Sequence, residues 1–188
     1  MNNFLDNIPT IPLAPWVESA MDWLTSNFSA FFNSIQQFGK LLMNQVTDLL
    51  NSIPAIILIL LVVVFAFYAT GKKFGLASFS LIGLLFIYNQ GLWTNLMETT
   101  TLVIFSSIIS IIIGIPLGIL MSKSTIAESI IKPILDFMQT MPGFVYLIPA
   151  VAFFGIGIVP GVFASVIFAL PPTVRMTNLG IRQVPKEL

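Results

Sequence analysis

The 188-residue chain contains no cysteine and no histidine. The first absence excludes disulfides, thiol nucleophiles and thiolate metal ligands. The second removes imidazole as an acid, a base or a ligand. Charge is scarce too. Lys and Arg total 8, Asp and Glu total 8, and together they make up 9% of the residues. A soluble domain carries about 25% charged residues. With 56% hydrophobic residues and a mean hydropathy of +0.96, this chain lacks the polar side chains to cover a globule in water. It reads as a protein whose solvent is a lipid bilayer. The net charge of zero comes without any basic stripe, which argues against nucleic acid as a partner. No secretory signal is visible, because no Lys or Arg precedes Lys40 while Asp6, Glu18 and Asp22 do.

What is present is apolar periodicity. Residues 1–15, with Pro9, Pro12 and Pro15, read as an irregular tail. From Trp16 to Leu49 apolar residues recur at spacings of three and four, with Glu18, Asp22, Asn33, Gln37 and Asp48 between them. That pattern predicts one amphipathic helix. It is too polar to span a membrane. It either packs on its own domain or lies in the membrane interface, with Trp16 and Trp23 at headgroup depth. Five apolar segments follow, at 53–70, 74–93, about 99–121, about 141–157, and from about Val162 through Pro171-Pro172. Residues 125–139 read as a short surface helix, "TNLMETT" as a loop after Trp93, and "VPG" at 159–161 as a turn. The expected fold is all-α and polytopic, with about five transmembrane helices preceded by an external amphipathic helix.

The basic residues orient this zigzag. Lys72 and Lys73 fall between the first two spans, Lys123 and Lys132 between the third and fourth, and Arg175, Arg182 and Lys186 after the fifth. The other loops carry Glu98 and no basic residue. The positive-inside rule makes the basic side cytoplasmic and puts the N-terminus outside.

Few constellations carry chemistry. "GKK" at 71–73 is no P-loop, since residue 66 is Ala and residue 73 is Lys where the motif needs Gly and Ser/Thr. No arrangement of carboxylates, hydroxyls or metal ligands suggests catalysis or a cofactor. "GIPLG" at 114–118 is a small-xxx-small pair, suited to close helix packing or to a hinge, and Pro116 implies a kink. Asp136 stands four residues after Lys132, a favourable helical pair spacing. In "QTMPGFVYLIPAVAFFG" (139–155) Pro142, Gly143 and Pro149 interrupt an apolar run. Broken helices persist in membranes where protein covers them or where they line a cavity. Phe144, Tyr146, Phe153 and Phe154 lie near that break. Such rings either pack together or hold a quaternary ammonium ion by cation–π contact.

Two stretches go further. "LDFMQTMPGFVYLIPA" (135–150) and "ALPPTVRMTNLGIRQVP" (169–185) resemble the permease subunit of binding-protein-dependent ABC importers, closest to the glycine betaine/proline group. The resemblance covers essentially the whole chain, more weakly over residues 1–50. It implies three regions: a tail and amphipathic helix (1–50), two accessory transmembrane helices (51–97) and the N-terminal part of the permease core (98–188). It also implies a non-enzymatic pathway subunit in a bacterial cell membrane. Its partners would be an ABC ATPase subunit, an external substrate-binding protein and a second permease copy forming a homodimer. Met141, Pro142, Phe144 and Tyr146 become substrate-pathway candidates, and Arg182, Lys186 and Glu187 candidates for the ATPase contact region. In this family "LGIRQVP" leads into the cytoplasmic coupling loop, so the resemblance implies that the chain stops just before that loop. A permease for another polar substrate such as methionine, and a membrane scaffold without transport, are the alternative readings.

Overall fold

The computed structural model describes residues 12–184, and every regular element among them is α-helical. α1 (Leu13–Asn27) and α2 (Ser29–Ser52) carry the amphipathic pattern. The expected single helix is therefore interrupted at Phe28, whose backbone (φ −108°, ψ 15°) leaves the helical region. The cause is local. Thr25 and Ser26 hydroxyls donate to the Met21 and Asp22 carbonyls (2.9 and 2.7 Å), and the Asn27 amide donates to the Trp23 carbonyl (2.8 Å). Such side chains compete with the backbone for its own hydrogen bonds. Residues 13–15, expected in the tail, form the first turn of α1, where the missing N–H of Pro15 would have no helical partner anyway. Residues 1–11 lie outside the described structure.

An 89° bend at Ser52–Pro54 joins α2 to α3 (Ala55–Ala69), and a tight turn at 70–73 joins α3 to α4 (Phe74–Asn89). At 15 and 16 residues these apolar helices are about 22–24 Å long, against a hydrocarbon core of about 30 Å. They pack chiefly on one another, with only a small contact between α4 and the next helix. α5 (Trp93–Lys123) is longer than expected. The predicted loop at 94–100 is its first two turns, because Met97 and Thr101 face inward and are buried. The helix continues through Pro116. Trp93 opens α5 rather than closing α4, and its ring meets Tyr88 edge-on at 5.9 Å.

Ser124 caps α6 (Thr125–Thr140) by accepting from the Ala127 N–H at 3.2 Å. α6 turns through 97° into α7 (Gly143–Phe154). α7 has 12 residues, so the predicted fourth span is a short helix broken from α6, not a helix that crosses alone. The turn expected at 159–161 sits instead at 155–157, where Gly155 (φ 70°) and Gly157 (φ 152°) take backbone angles that a side chain disfavours. α8 (Ile158–Arg182) then runs through Pro171 and Pro172. Among the described residues two helices, α5 and α8, are each long and apolar enough to span a membrane, or up to four spans exist if each bent pair counts as one.

α5 and α8 form the most extensive contact in the fold. Ser106, Ser110, Gly114 and Gly118 recur every four residues on one buried face of α5. A Cβ at Gly114 would lie 2.7 Å from the Thr173 methyl, and one at Gly118 would lie 2.5 Å from Thr177 Cβ and 2.8 Å from the Val174 carbonyl oxygen. "GIPLG" is thus a backbone-close seam, the packing reading of that motif. Next to it Met121, Leu135 and Val174 bury fully, joined by Leu117, Ile131, Met138 and Leu170 from α5, α6 and α8. α2 packs on α5 and α7, and Thr47 donates to Thr101 across 2.9 Å in a buried contact. α1 buries no residue. Large apolar side chains on α3 and α4 stay exposed, Phe65 at 72% and Phe79 at 75%. In a bilayer such surfaces meet acyl chains, so they cost nothing to leave open.

Candidate functional site

Two places gather the candidate residues: the corner between α6 and α7, and the shared end of α5, α6 and α8.

The corner starts from Met141 and Pro142. Proline disfavours helical geometry in the residue before it. Met141 is accordingly extended (φ −85°, ψ 137°), and Pro142 follows at φ −58°, ψ 138°. The last carbonyls of α6 would be left without partners. The Thr140 hydroxyl donates to the Phe137 carbonyl (2.9 Å), and the Tyr146 hydroxyl reaches back to the Met138 carbonyl (3.0 Å). Tyr146 therefore pins the first turn of α7 to the last turn of α6, which holds the bend. Phe144 points outward, 80% exposed. The structure thus brings Met141, Pro142, Phe144 and Tyr146 to one corner, but neither ring makes a ring–ring contact among the described residues. Phe153 and Phe154 stand at the other end of α7. There Phe32 of α2 stacks on Phe153 (4.6 Å, 24°) and meets Phe154 edge-on (5.6 Å, 86°), and Phe163 of α8 touches Phe154 (5.5 Å). The four rings of the 139–155 stretch split into two groups, and the second group is packing.

At the shared end, Arg182 is the hub. Its guanidinium meets the Glu128 carboxylate at 2.6 Å and the Met121 carbonyl at 3.1 Å, while its Nε donates to Asn178 Oδ1 at 3.0 Å. One side chain thereby ties the last turn of α8 to the C-terminal end of α5 and the first turn of α6. A cation suits the carbonyl end of α5, and an anion suits the N-terminal turn of α6. Two turns earlier Arg175 pairs with Asp136. The partner expected for Asp136 was Lys132, on its own helix. The guanidinium of Arg175 crosses from α8 instead, and Lys132 makes no ion pair among the described residues. Lys186 and Glu187 lie outside the described residues. No group of three or more acids that could hold a metal ion occurs among the described residues.

The pairings of Glu128 and Arg175 are not legible in the sequence because their partners, Arg182 and Asp136, lie 54 and 39 residues away, whereas Asn178 stands only four residues before Arg182 on α8, a spacing that could have pointed to it. Their electrostatics give a direct test. Arg175→Asp places like charges face to face and should destabilise the protein by about 1 kcal/mol, the upper end for half-exposed pairs. Adding Asp136→Arg should recover most of that loss. A double-mutant cycle of melting temperatures in detergent checks it, and the coupling should shrink in high salt.

This architecture, apolar helices with two spanning candidates around a glycine-lined seam, is that of a polytopic membrane protein. Residues 110–188 match the family described as the binding-protein-dependent transport system inner membrane component, and the chain belongs to that family. It is 56% identical, over 98% of its length, to the glycine betaine/carnitine transport permease protein GbuB of Listeria monocytogenes. It is 47% identical, over 98%, to the glycine betaine transport system permease protein OpuAB of Bacillus subtilis. It is 42% identical, over 95%, to the glycine betaine/proline betaine transport system permease protein ProW of Escherichia coli. The chain spans 66%, 64% and 50% of the length of these three relatives.

Proposed function

We propose that the chain belongs to the membrane pathway of an ATP-driven importer that takes up glycine betaine and related compatible solutes. The single observation that carries this reading is the 56% identity to a glycine betaine/carnitine permease along nearly the entire chain. An ATPase on the cytoplasmic side and an external substrate-binding protein are the partners, and a second permease copy completes the pathway. The N-terminus, with α1, is outside, and the basic turns are inside, as the distribution of Lys and Arg supports. Residues 1–50 and 51–97 form regions added to the core at 98–188.

The α6–α7 corner has the parts for a pathway wall. Met141, Pro142, Phe144 and Tyr146 meet at a bend where the Phe144 ring is exposed and the Tyr146 phenol braces the corner, and π faces attract quaternary ammonium ions. Arg182 contributes at the ATPase side by position. By fixing how α8 ends against α5 and α6, it sets the direction in which Gln183 leaves the bundle, and Lys186 and Glu187 remain sequence candidates for the ATPase contact.

Disruption of the encoding gene tests the reading. Uptake of radiolabelled glycine betaine after a salt upshift should fall to the background of other systems, while methionine uptake stays unchanged. Loss of methionine uptake alone would move the assignment to another substrate. Unchanged uptake of both would leave a non-transporting membrane scaffold.

A further inference from the structure

Between α3 and α4 an open groove of about 390 Å³ is lined by Val64, Phe67, Tyr68, Phe74, Ala77 and Leu81, among others. It adjoins the turn at 70–73, since Phe67, Tyr68 and Phe74 flank that turn in sequence. The turn is tightly bonded. Lys72 N–H donates to the Phe67 carbonyl (2.9 Å), Gly71 N–H to the Tyr68 carbonyl (3.1 Å), and the Thr70 hydroxyl to the Ala66 carbonyl (2.7 Å). Gly71 and Lys72 both sit at φ 65°. Glycine adopts that backbone freely and lysine does not. The position is held by a charged residue where an uncharged glycine would fit with less strain, and such strain concentrates at sites with a task. Lys72 and Lys73 are exposed, and neither makes an ion pair among the described residues.

We infer that this hairpin binds one anionic phospholipid, its acyl chain along the α3–α4 groove and its phosphate at Lys72 and Lys73. Charge complementarity selects this occupant over a neutral lipid. The groove offers apolar and aromatic surface with little polarity, and the turn next to it carries two adjacent cations and no acid. The hairpin also rests so lightly on α5 that its outer surface is open to lipid. Lysines that merely snorkel to the interface would hold no particular lipid.

The full chain, purified in detergent micelles with equal dioleoylphosphatidylglycerol and dioleoylphosphatidylcholine, tests the inference by native mass spectrometry. The wild type should retain phosphatidylglycerol preferentially. Lys72→Gly with Lys73→Gln should lower that preference roughly 30-fold, since each basic residue near an anionic lipid contributes a factor of about five. Lys72→Gly relieves the turn, so a lost lipid cannot be put down to misfolding, and Lys123→Gln should change nothing. Photo-crosslinking with a diazirine-tailed phosphatidylglycerol should label residues of α3 and α4. Equal retention of both lipids by the wild type, undiminished preference in the double variant, or crosslinks confined to other helices would each overturn the site.

Discussion

Gly118→Ala should lower the melting temperature of the protein by about 5–10 °C, the equivalent of roughly 2–3 kcal/mol from overpacking a close helix contact. The added methyl would meet Thr177 Cβ at 2.5 Å and the Val174 carbonyl oxygen at 2.8 Å. Both are fixed to the α8 backbone, so no rotamer change relieves the clash, and α8 must move away along its most extensive contact. Gly114→Ala strikes a softer neighbour, the Thr173 methyl at 2.7 Å. Thr173→Ser removes that methyl and keeps a hydroxyl for the Ala169 carbonyl, now bonded at 2.8 Å. The pair Gly114→Ala/Thr173→Ser should therefore recover part of its loss, with Thr173 Cβ still 3.0 Å away, whereas Gly118→Ala/Thr177→Ser, with Thr177 Cβ at 2.5 Å, should not. Thermal unfolding in detergent, followed by fluorescence or by aggregation, measures all four variants. Equal rescue of both pairs would mean that the seam is looser than its geometry states.

The seam also marks how far sequence alone reaches. The four-residue spacing in "GIPLG" announces a face on which another backbone can approach, but not that Thr173 and Thr177 are what approaches. The apolar helices were legible because hydropathy is a one-dimensional signal that a bilayer imposes on the chain. Boundaries were less legible. The break at Phe28 arises from side chains bonding to carbonyls three and four residues back, while the apolar stripe continues across it. The extension of α5 back to Trp93 depends on Met97 and Thr101 finding a neighbour, and Thr101 finds it 54 residues away at Thr47. The α6–α7 corner was foreseen from Pro142 and Gly143, since proline and glycine act locally. The sequence marks Arg182 as a basic residue after the last apolar segment and, through the resemblance, as part of the ATPase contact region. Its engagement with Glu128 and the Met121 carbonyl is tertiary, and an i to i+4 rule is blind to it.

Phe154→Ala should loosen α2 from the bundle with little effect on the α5–α8 seam. Phe154 is 6% exposed and makes three ring contacts, with Phe32, Phe153 and Phe163. In a water-soluble core its truncation would cost about 3–5 kcal/mol. Where lipid rather than water is the alternative surrounding, the transfer part of that cost falls and the packing part remains. Three aromatic contacts at about 0.5–1.5 kcal/mol each leave a loss of roughly 2–4 kcal/mol. The loss is local because Phe32 is the ring that α2 contributes to this cluster, whereas Thr47 anchors the other end of the same helix. Hydrogen exchange should therefore accelerate across the N-terminal half of α2, about residues 29–40, and much less around Thr47. Exchange in α5 near Gly118 should not change. Phe154→Leu, which keeps most of the volume and loses the edge-on geometry, should fall between the wild type and alanine. Uniform acceleration along α2, α5 and α8 together would show that the ring cluster holds the whole bundle, and that α2 is part of its core rather than a helix clipped on at two points.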